Sequence, residues 1–250
     1  MSTEDWSEED WGDDAPEAPP TPVPANVAEA LAQIEAASDP AKAPEMAAYH
    51  KAPRRYLGTP VPAIDTLTRA WRAGLTADDR LNLADALWQT DIHEARVAAA
   101  RLLTQARIRP DDDVWALIQS WVPQFDAWAI ADHACKAGEK RVMADLSRLD
   151  AVERWTQSPL MWQRRAALVI TLPLTKLNFP KPAEIAARER VLGWAASYIP
   201  DRDWFIQKAI GWWLRDLSKH DAARTARFLD EHGAGMKAFA RKEAAQYLPK

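Results

Sequence analysis

The sequence predicts an all-α fold, and three observations carry that prediction. Only 8 of its 250 residues are glycine, alanine is abundant, and no stretch shows the clean apolar/polar alternation of a half-buried strand. With 48% hydrophobic and 27% charged residues, the chain can bury one sizeable core or two small ones. A single cysteine, Cys135, excludes an internal disulfide and a cysteine-based zinc cage, and it fits a cytoplasmic, reducing setting. No apolar run approaches the ~18 residues of a membrane span and no basic start precedes one, so neither spanning nor secretion is expected. Thirteen tryptophans are many for this length; such large, often amphipathic side chains are expected to line a surface as well as a core.

Taken in order, residues 1–25 come first, with eight acids, five prolines from Pro16 to Pro24, and no Lys or Arg. This composition predicts a disordered acidic tail. Subtracting its charge from the net −4 of the chain leaves +4 for residues 26–250, so the folded part is mildly basic. Trp6 and Trp11 inside the acidic run suggest that the tail docks on the basic face or on another protein, as an alternative to a solubility role. The domain is expected to span 26–250 and to open at Asn26, which can cap a helix Val27–Ala37 with Glu29 three residues on. Further helices are predicted over 41–51, 62–73, 77–88, 92–107, 112–122, 126–137, 140–148, 151–157, 159–172, 183–198, 203–218, 221–231 and 236–247. Breaks are placed at Pro53, Gly58 to Pro62, Gly74, Pro110, Gly138, Pro180 and Gly233.

A degenerate repeat runs through these helices. Arg96-Val-Ala-Ala-Ala-Arg-Leu-Leu, Arg165-Ala-Ala-Leu-Val-Ile-Thr-Leu, Lys208-Ala-Ile-Gly-Trp-Trp-Leu and Lys242-Glu-Ala-Ala-Gln-Tyr-Leu each set a base before small and then larger apolar residues. The steps of 43 and 34 between the last three match the length of a helical-pair repeat. Stacked pairs curve into a solenoid, and bases that start the inner helices are expected to converge along one groove.

The stretch 204–215, Trp-Phe-Ile-Gln-Lys-Ala-Ile-Gly-Trp-Trp-Leu-Arg, is the most distinctive. At 3.6 residues per turn Lys208, Trp212 and Arg215 share one face, whereas Phe205, Ala209, Trp213 and Leu214 are expected on the core side. A ring between cations suits a polyanion with bases or sugars in it, and equally an aromatic pair is compatible with packing alone. Earlier, Trp128 and Asp132 stand four apart on a helix of small residues, and Trp162 stands three before Arg165. Two aromatic walls, one carboxylate and one arginine are thus the ingredients, although singly Asp132 reads as well as a solvated acid and Arg165 as an ion-pair member.

On Trp128-x-x-x-Asp132, Trp162-Gln-Arg-Arg165-Ala-Ala and Phe205-Ile-Gln-Lys-Ala-Ile-Gly-Trp212-x-Leu-Arg215, the chain resembles the AlkD-type DNA alkylation-repair glycosylases, built from HEAT-like repeats. Weaker likeness lies at Met46-Ala-Ala-Tyr49 and Leu57-Gly58, and the whole covers roughly residues 40–248. The resemblance implies a right-handed α-solenoid whose concave groove holds duplex DNA containing alkylated bases. It implies a catalytic carboxylate at Asp132, an aromatic cradle of Trp128 and Trp212, and a phosphate-contacting Arg165. Tyr49, Trp162, Lys208 and Arg215 are expected to join the DNA contacts. Thr59-Pro60-Val61-Pro62 departs from the polar residues expected after Gly58, which puts contacts from that loop in question.

The implied chemistry is removal of cationic purines such as 3-methyladenine and 7-methylguanine by a monomeric enzyme that uses no cofactor or metal, placed in the cytoplasm, or at the nucleoid in a bacterium. Positive charge makes the base a good leaving group, and a carboxylate beside C1′ stabilises the oxocarbenium-like sugar that remains. His50, His93, His133, His220 and His232 show no metal-ligand spacing, and neither a glycine-rich phosphate loop nor a nucleophile elbow is present. Lys208 is expected to meet phosphate rather than to form a Schiff base. The alternative is a non-catalytic HEAT-repeat scaffold that binds DNA or protein through the same concave face.

Overall fold

Helix packs on helix throughout residues 21–249, the part of the chain described by the computed structural model. The helices are α1 (Val27–Ala36), α2 (Ala43–His50), α3 (Val61–Gly74), α4 (Ala77–Gln89), α5 (His93–Leu102), α6 (Asp112–Trp121), α7 (Trp128–Ala144), α8 (Leu149–Trp155), α9 (Met161–Val169), α10 (Pro182–Ser197), α11 (Trp204–Ser218), α12 (Ala222–His232) and α13 (Ala238–Ala244). Among the described residues there is no strand, only one isolated bridge between Arg55 and Ile92. No described helix is long and apolar enough to cross a membrane.

The helices form a solenoid. One row consists of α5, α7, α9, α11 and α13, each packed on the next, while α4, α6, α8 and α12 each lie against one member of that row. Small residues allow the close spacing: in α5, Ala95, Ala98, Ala99 and Ala100 are fully buried, and in α7 Ala131, Ala134 and Ala137 are. Trp71, Trp88, Trp121 and Trp213 are the largest fully buried side chains, with Trp88 and Trp121 stacked at 4.3 Å between ring centres.

Capping at the start follows the sequence pattern. Asn26 is extended, and its side chain accepts the Glu29 amide at 3.0 Å; Glu29 in turn accepts the Ala25 amide at 2.8 Å. Residues 22–25, which composition groups with the tail, run along the domain: Pro24 is buried and the Pro22 carbonyl accepts from Gln33. The acidic run with Trp6 and Trp11 lies outside the described residues.

Two expectations need correction. The break predicted at Gly138 does not occur, and α7 runs unbroken from Trp128 to Ala144. A Cβ there would come within 2.5 Å of Ile170 Cδ1, so this glycine serves close helix packing rather than a turn. Three of the four bases that head the repeats, Arg96, Arg165 and Lys208, do not stand free in a groove either, whereas Lys242 is exposed. Arg96 is buried, donates to the Trp88 carbonyl and pairs with Asp91 at 3.1 Å, and Arg165 and Lys208 are held by acids as well.

Candidate nucleic-acid interface

The site is assembled from neighbouring members of one row, α7, α9 and α11. On α7 the nearby Ala131, Ala134 and Cys135 are small and buried, so α7 sits tight against α9 while Trp128 and Asp132 stay half-buried on the open face. Opposite them, Arg165 on α9 points straight at Asp132. Nη1 donates to Oδ1 and Nη2 to Oδ2, the latter at 3.1 Å, a two-toothed ion pair. The guanidinium side chain is 5% exposed and the carboxylate 24%. Burial alone would lower the arginine's pKa, but Asp132 outweighs it and the pKa is raised. A guanidinium expected to meet phosphate is therefore turned inward, onto the carboxylate. Two N–H bonds use one lone pair on each carboxylate oxygen, so Asp132 keeps acceptor capacity toward solvent. Behind it Cys135 is buried, its thiol pKa raised well above normal by burial and by Asp132.

Trp162 lies one turn before Arg165, with the guanidinium 5.7 Å from its ring centre. Its other contact is Phe205 at 4.6 Å, which corrects the placing of Phe205 on the core side of α11. Phe205, Lys208, Trp212 and Arg215, spaced three, four and three apart, are the half-buried stripe of α11, while Ile206, Ala209, Ile210, Trp213 and Leu214 are buried. Because Phe205 touches Trp162, that stripe continues the face that carries Arg165. Trp212 thus lies on the site side and Trp213, fully buried, in the core.

Lys208 and Arg215 are not free cations. Glu243 of α13 reaches between them: Lys208 Nζ lies 2.9 and 3.0 Å from its two oxygens, and Arg215 Nη1 donates to Oε1 at 3.1 Å. Arg215 also donates to Asp216 Oδ1, while Trp212 Nε1 donates to Asp216 Oδ2 at 3.2 Å, which fixes the edge of the indole. Gly211 makes this approach possible, since a Cβ there would lie 3.0 Å from the Ala240 carbonyl oxygen.

On the far side of Trp128, Tyr49 is 60% exposed and stands edge-on to the indole at 5.7 Å. His50 packs on Trp128 at 5.4 Å and stacks on His93 at 4.3 Å, and His93 stacks on Tyr56. His50, His93 and His133 border a cavity of about 60 Å³ behind Trp128. Burial, helped by His50, His133 and Arg54, lowers the His93 pKa to about 2; burial, then Arg101 and His50, lowers that of His133 to about 3. No trio of His, Cys, Asp or Glu among the described residues has a metal-site arrangement. Thr59, in the loop that departs from pattern, is buried and donates to the Ile34 carbonyl at 2.8 Å, so it braces α1 instead of facing the groove.

Sequence patterning does not find Glu243, 28 and 35 residues from its partners, but the place of Phe205 was within reach, three residues before Lys208 and seven before Trp212 on one helix face. Asp216 was within reach as the residue four after Trp212, the spacing of helix neighbours.

The family model described as "DNA alkylation repair enzyme" matches residues 30–248. The chain belongs to that family. Among solved structures it is similar to a predicted DNA alkylation repair enzyme from Enterococcus faecalis, at 24% identity and a TM-score of 0.72, covering 85% of this chain and 97% of that one. It is also similar to AlkD2 from Streptococcus mutans, at 17% identity and a TM-score of 0.55, covering 76% and 90%. The smu.31 structure from Streptococcus mutans UA159 matches at 17% and 0.56, covering 76% and 93%. At these identities the likeness is one of fold. No curated protein matches the chain. Membership in the DNA alkylation repair enzyme family implies that the chain binds DNA.

Proposed function

We propose that this member of the DNA alkylation repair enzyme family is a monofunctional N-glycosylase that releases cationic N-alkylated purines from duplex DNA. The observation that carries the reading is Asp132, a carboxylate left open toward solvent while a buried arginine clamps it from behind. A base alkylated on a ring nitrogen leaves as a neutral molecule once the C1′–N bond breaks, and positive charge stays on the sugar. The Asp132 carboxylate offsets that charge and orients the attacking water, whose proton passes to bulk water as the C1′–O bond forms. The indole faces of Trp128 and Trp212 favour the same cation, and Asp216 sets the angle of Trp212. Arg165 holds the Asp132 carboxylate in place with two N–H bonds, which makes it a positioning residue. Tyr49 and Trp162 flank the backbone on either side, with Lys208 and Arg215 beyond. The scaffold reading gains no support from an acid kept open in a face meant for phosphate.

The test is incubation of the purified protein with duplex DNA methylated on purine ring nitrogens. Free methylpurine is expected, with an unbroken strand carrying an abasic site and no borohydride-trapped adduct at Lys208. A protein that binds this DNA but releases no base would leave the scaffold reading standing instead.

A further inference from the structure

We propose that Glu243 is a specificity-setting residue, an acid of α13 that cancels the two cations of α11 and so holds down affinity for undamaged DNA backbone. The inference rests on the DNA-binding part of the proposed function and adds to it a role for a residue outside the catalytic group.

The geometry is that of an anion seat occupied by the protein's own chain. Glu243 lies over Gly211, its Oε2 3.3 Å from where a Cβ would be, and it bonds Lys208 and Arg215 on either side. The two carboxylates of the cluster are nearly buried, Glu243 at 11% and Asp216 at 9% exposed, whereas Lys208 is 31% and Arg215 25% exposed. The cations therefore face outward on the stripe that carries Trp212, but their charge is matched one for one by Glu243 and Asp216. A phosphate passing along this stripe meets a neutral cluster. Backbone affinity is the same at every nucleotide, so damping it lets the Asp132 and tryptophan contacts, made at the lesion, decide where the protein stays. Asp216 has a separate task in holding Trp212, and this leaves Glu243 as the charge that can be removed without releasing the indole.

The experiment measures binding to undamaged duplex DNA across a range of salt concentrations for the wild-type protein, Glu243→Gln, Glu243→Asp and the double variant Lys208→Gln/Glu243→Gln. Glutamine keeps shape and a hydrogen-bond acceptor but leaves the cluster one charge positive. The slope of log K against log salt should steepen by about 0.9, one further counterion, with affinity on the order of tenfold tighter near ~0.1 M salt. Base release from alkylated DNA should then show a smaller preference over undamaged competitor. Glu243→Asp, which keeps the charge, and the double variant, which restores neutrality, should both return to the wild-type slope. The double variant leaves no unpaired buried acid, so it decides the matter even if Glu243→Gln alone loosens α13 in a melting test. A Glu243→Gln slope equal to the wild type, or weaker binding by that variant, overturns the proposal while leaving the glycosylase reading intact. Wild-type protein that does not bind DNA at all overturns both.

Discussion

The Asp132–Arg165 pair and the Lys208–Glu243–Arg215 cluster use the same parts turned opposite ways. In the first the arginine is buried and the acid is the more open partner; in the second the acid is nearly buried and the cations are the more open partners. An ion pair presents to a ligand whichever partner it leaves outside. The α7–α9 side thus offers a negative, oriented acceptor suited to a cation that develops during reaction, and the α11–α13 side offers muted positive charge suited to a backbone that slides past. The lesson is that counting bases on a helix face overstates its potential when the neighbouring helix supplies the counter-charge.

Tryptophan replacement on α11 gives the largest expected effect. Trp213→Ala removes a fully buried indole and should cost about 3–5 kcal/mol of stability, whereas Trp212→Ala should cost about 1 kcal/mol and lower base release. Chemical denaturation of the two variants checks this. If Trp212→Ala is the one that unfolds, the stripe with Phe205, Lys208 and Arg215 does not face the groove.

Next in size is Arg165→Met, which sharpens the contrast between a clamped acid and a phosphate ligand. Loss of the clamp should slow single-turnover base release about 100-fold. Undamaged DNA should bind with nearly the wild-type salt slope. A slope flattened by about one with an unchanged rate would instead make Arg165 a direct phosphate contact.

A smaller effect separates the two sides by pH. Three imidazoles, His50, His93 and His133, lie beside or behind Trp128, and their pKa values are lowered mainly by burial. Groups whose folded pKa lies below the unfolded value of about 6.5 take up protons on unfolding. Their contribution is present above pH ~6.5 and is lost as pH falls toward about 3 and then about 2. Acid should therefore loosen the Tyr49–Trp128 side before α11, visible as earlier amide exchange in α2 and α5 than in α11 near pH 5. Equal loss on both sides would remove the histidines from the explanation.

The smallest effect concerns the tail. Deleting residues 1–20, which carry eight acids and no base, should tighten DNA binding a few-fold at low salt, with the gain gone by roughly 0.5 M. Equal affinity at low salt would leave the tail without influence on the groove.

Much of this arrangement was legible in the chain. Helix periodicity, Asn26 capping and the opposed faces of Trp212 and Trp213 depend on local spacing, and the structure keeps them. What spacing could not supply is which helix lies alongside. Gly138 reads as a breaker because nothing local shows that Ile170 presses on it, and Lys208 reads as a free cation because Glu243 is distant in sequence. Phe205 is a different case: the expectation sets it toward the core, but its spacing from Lys208 and Trp212 puts it on their face, where it meets Trp162.

The claim that Asp132 serves the transition state is tested most directly by Asp132→Asn, with base release under single turnover and DNA affinity measured on the same preparation. Asparagine still accepts from Arg165 but carries no charge. The rate should fall by about 10²–10³ while affinity for alkylated duplex DNA is unchanged or tighter, since a charge that repels phosphate has gone. A variant that releases methylpurine at the wild-type rate would contradict the account.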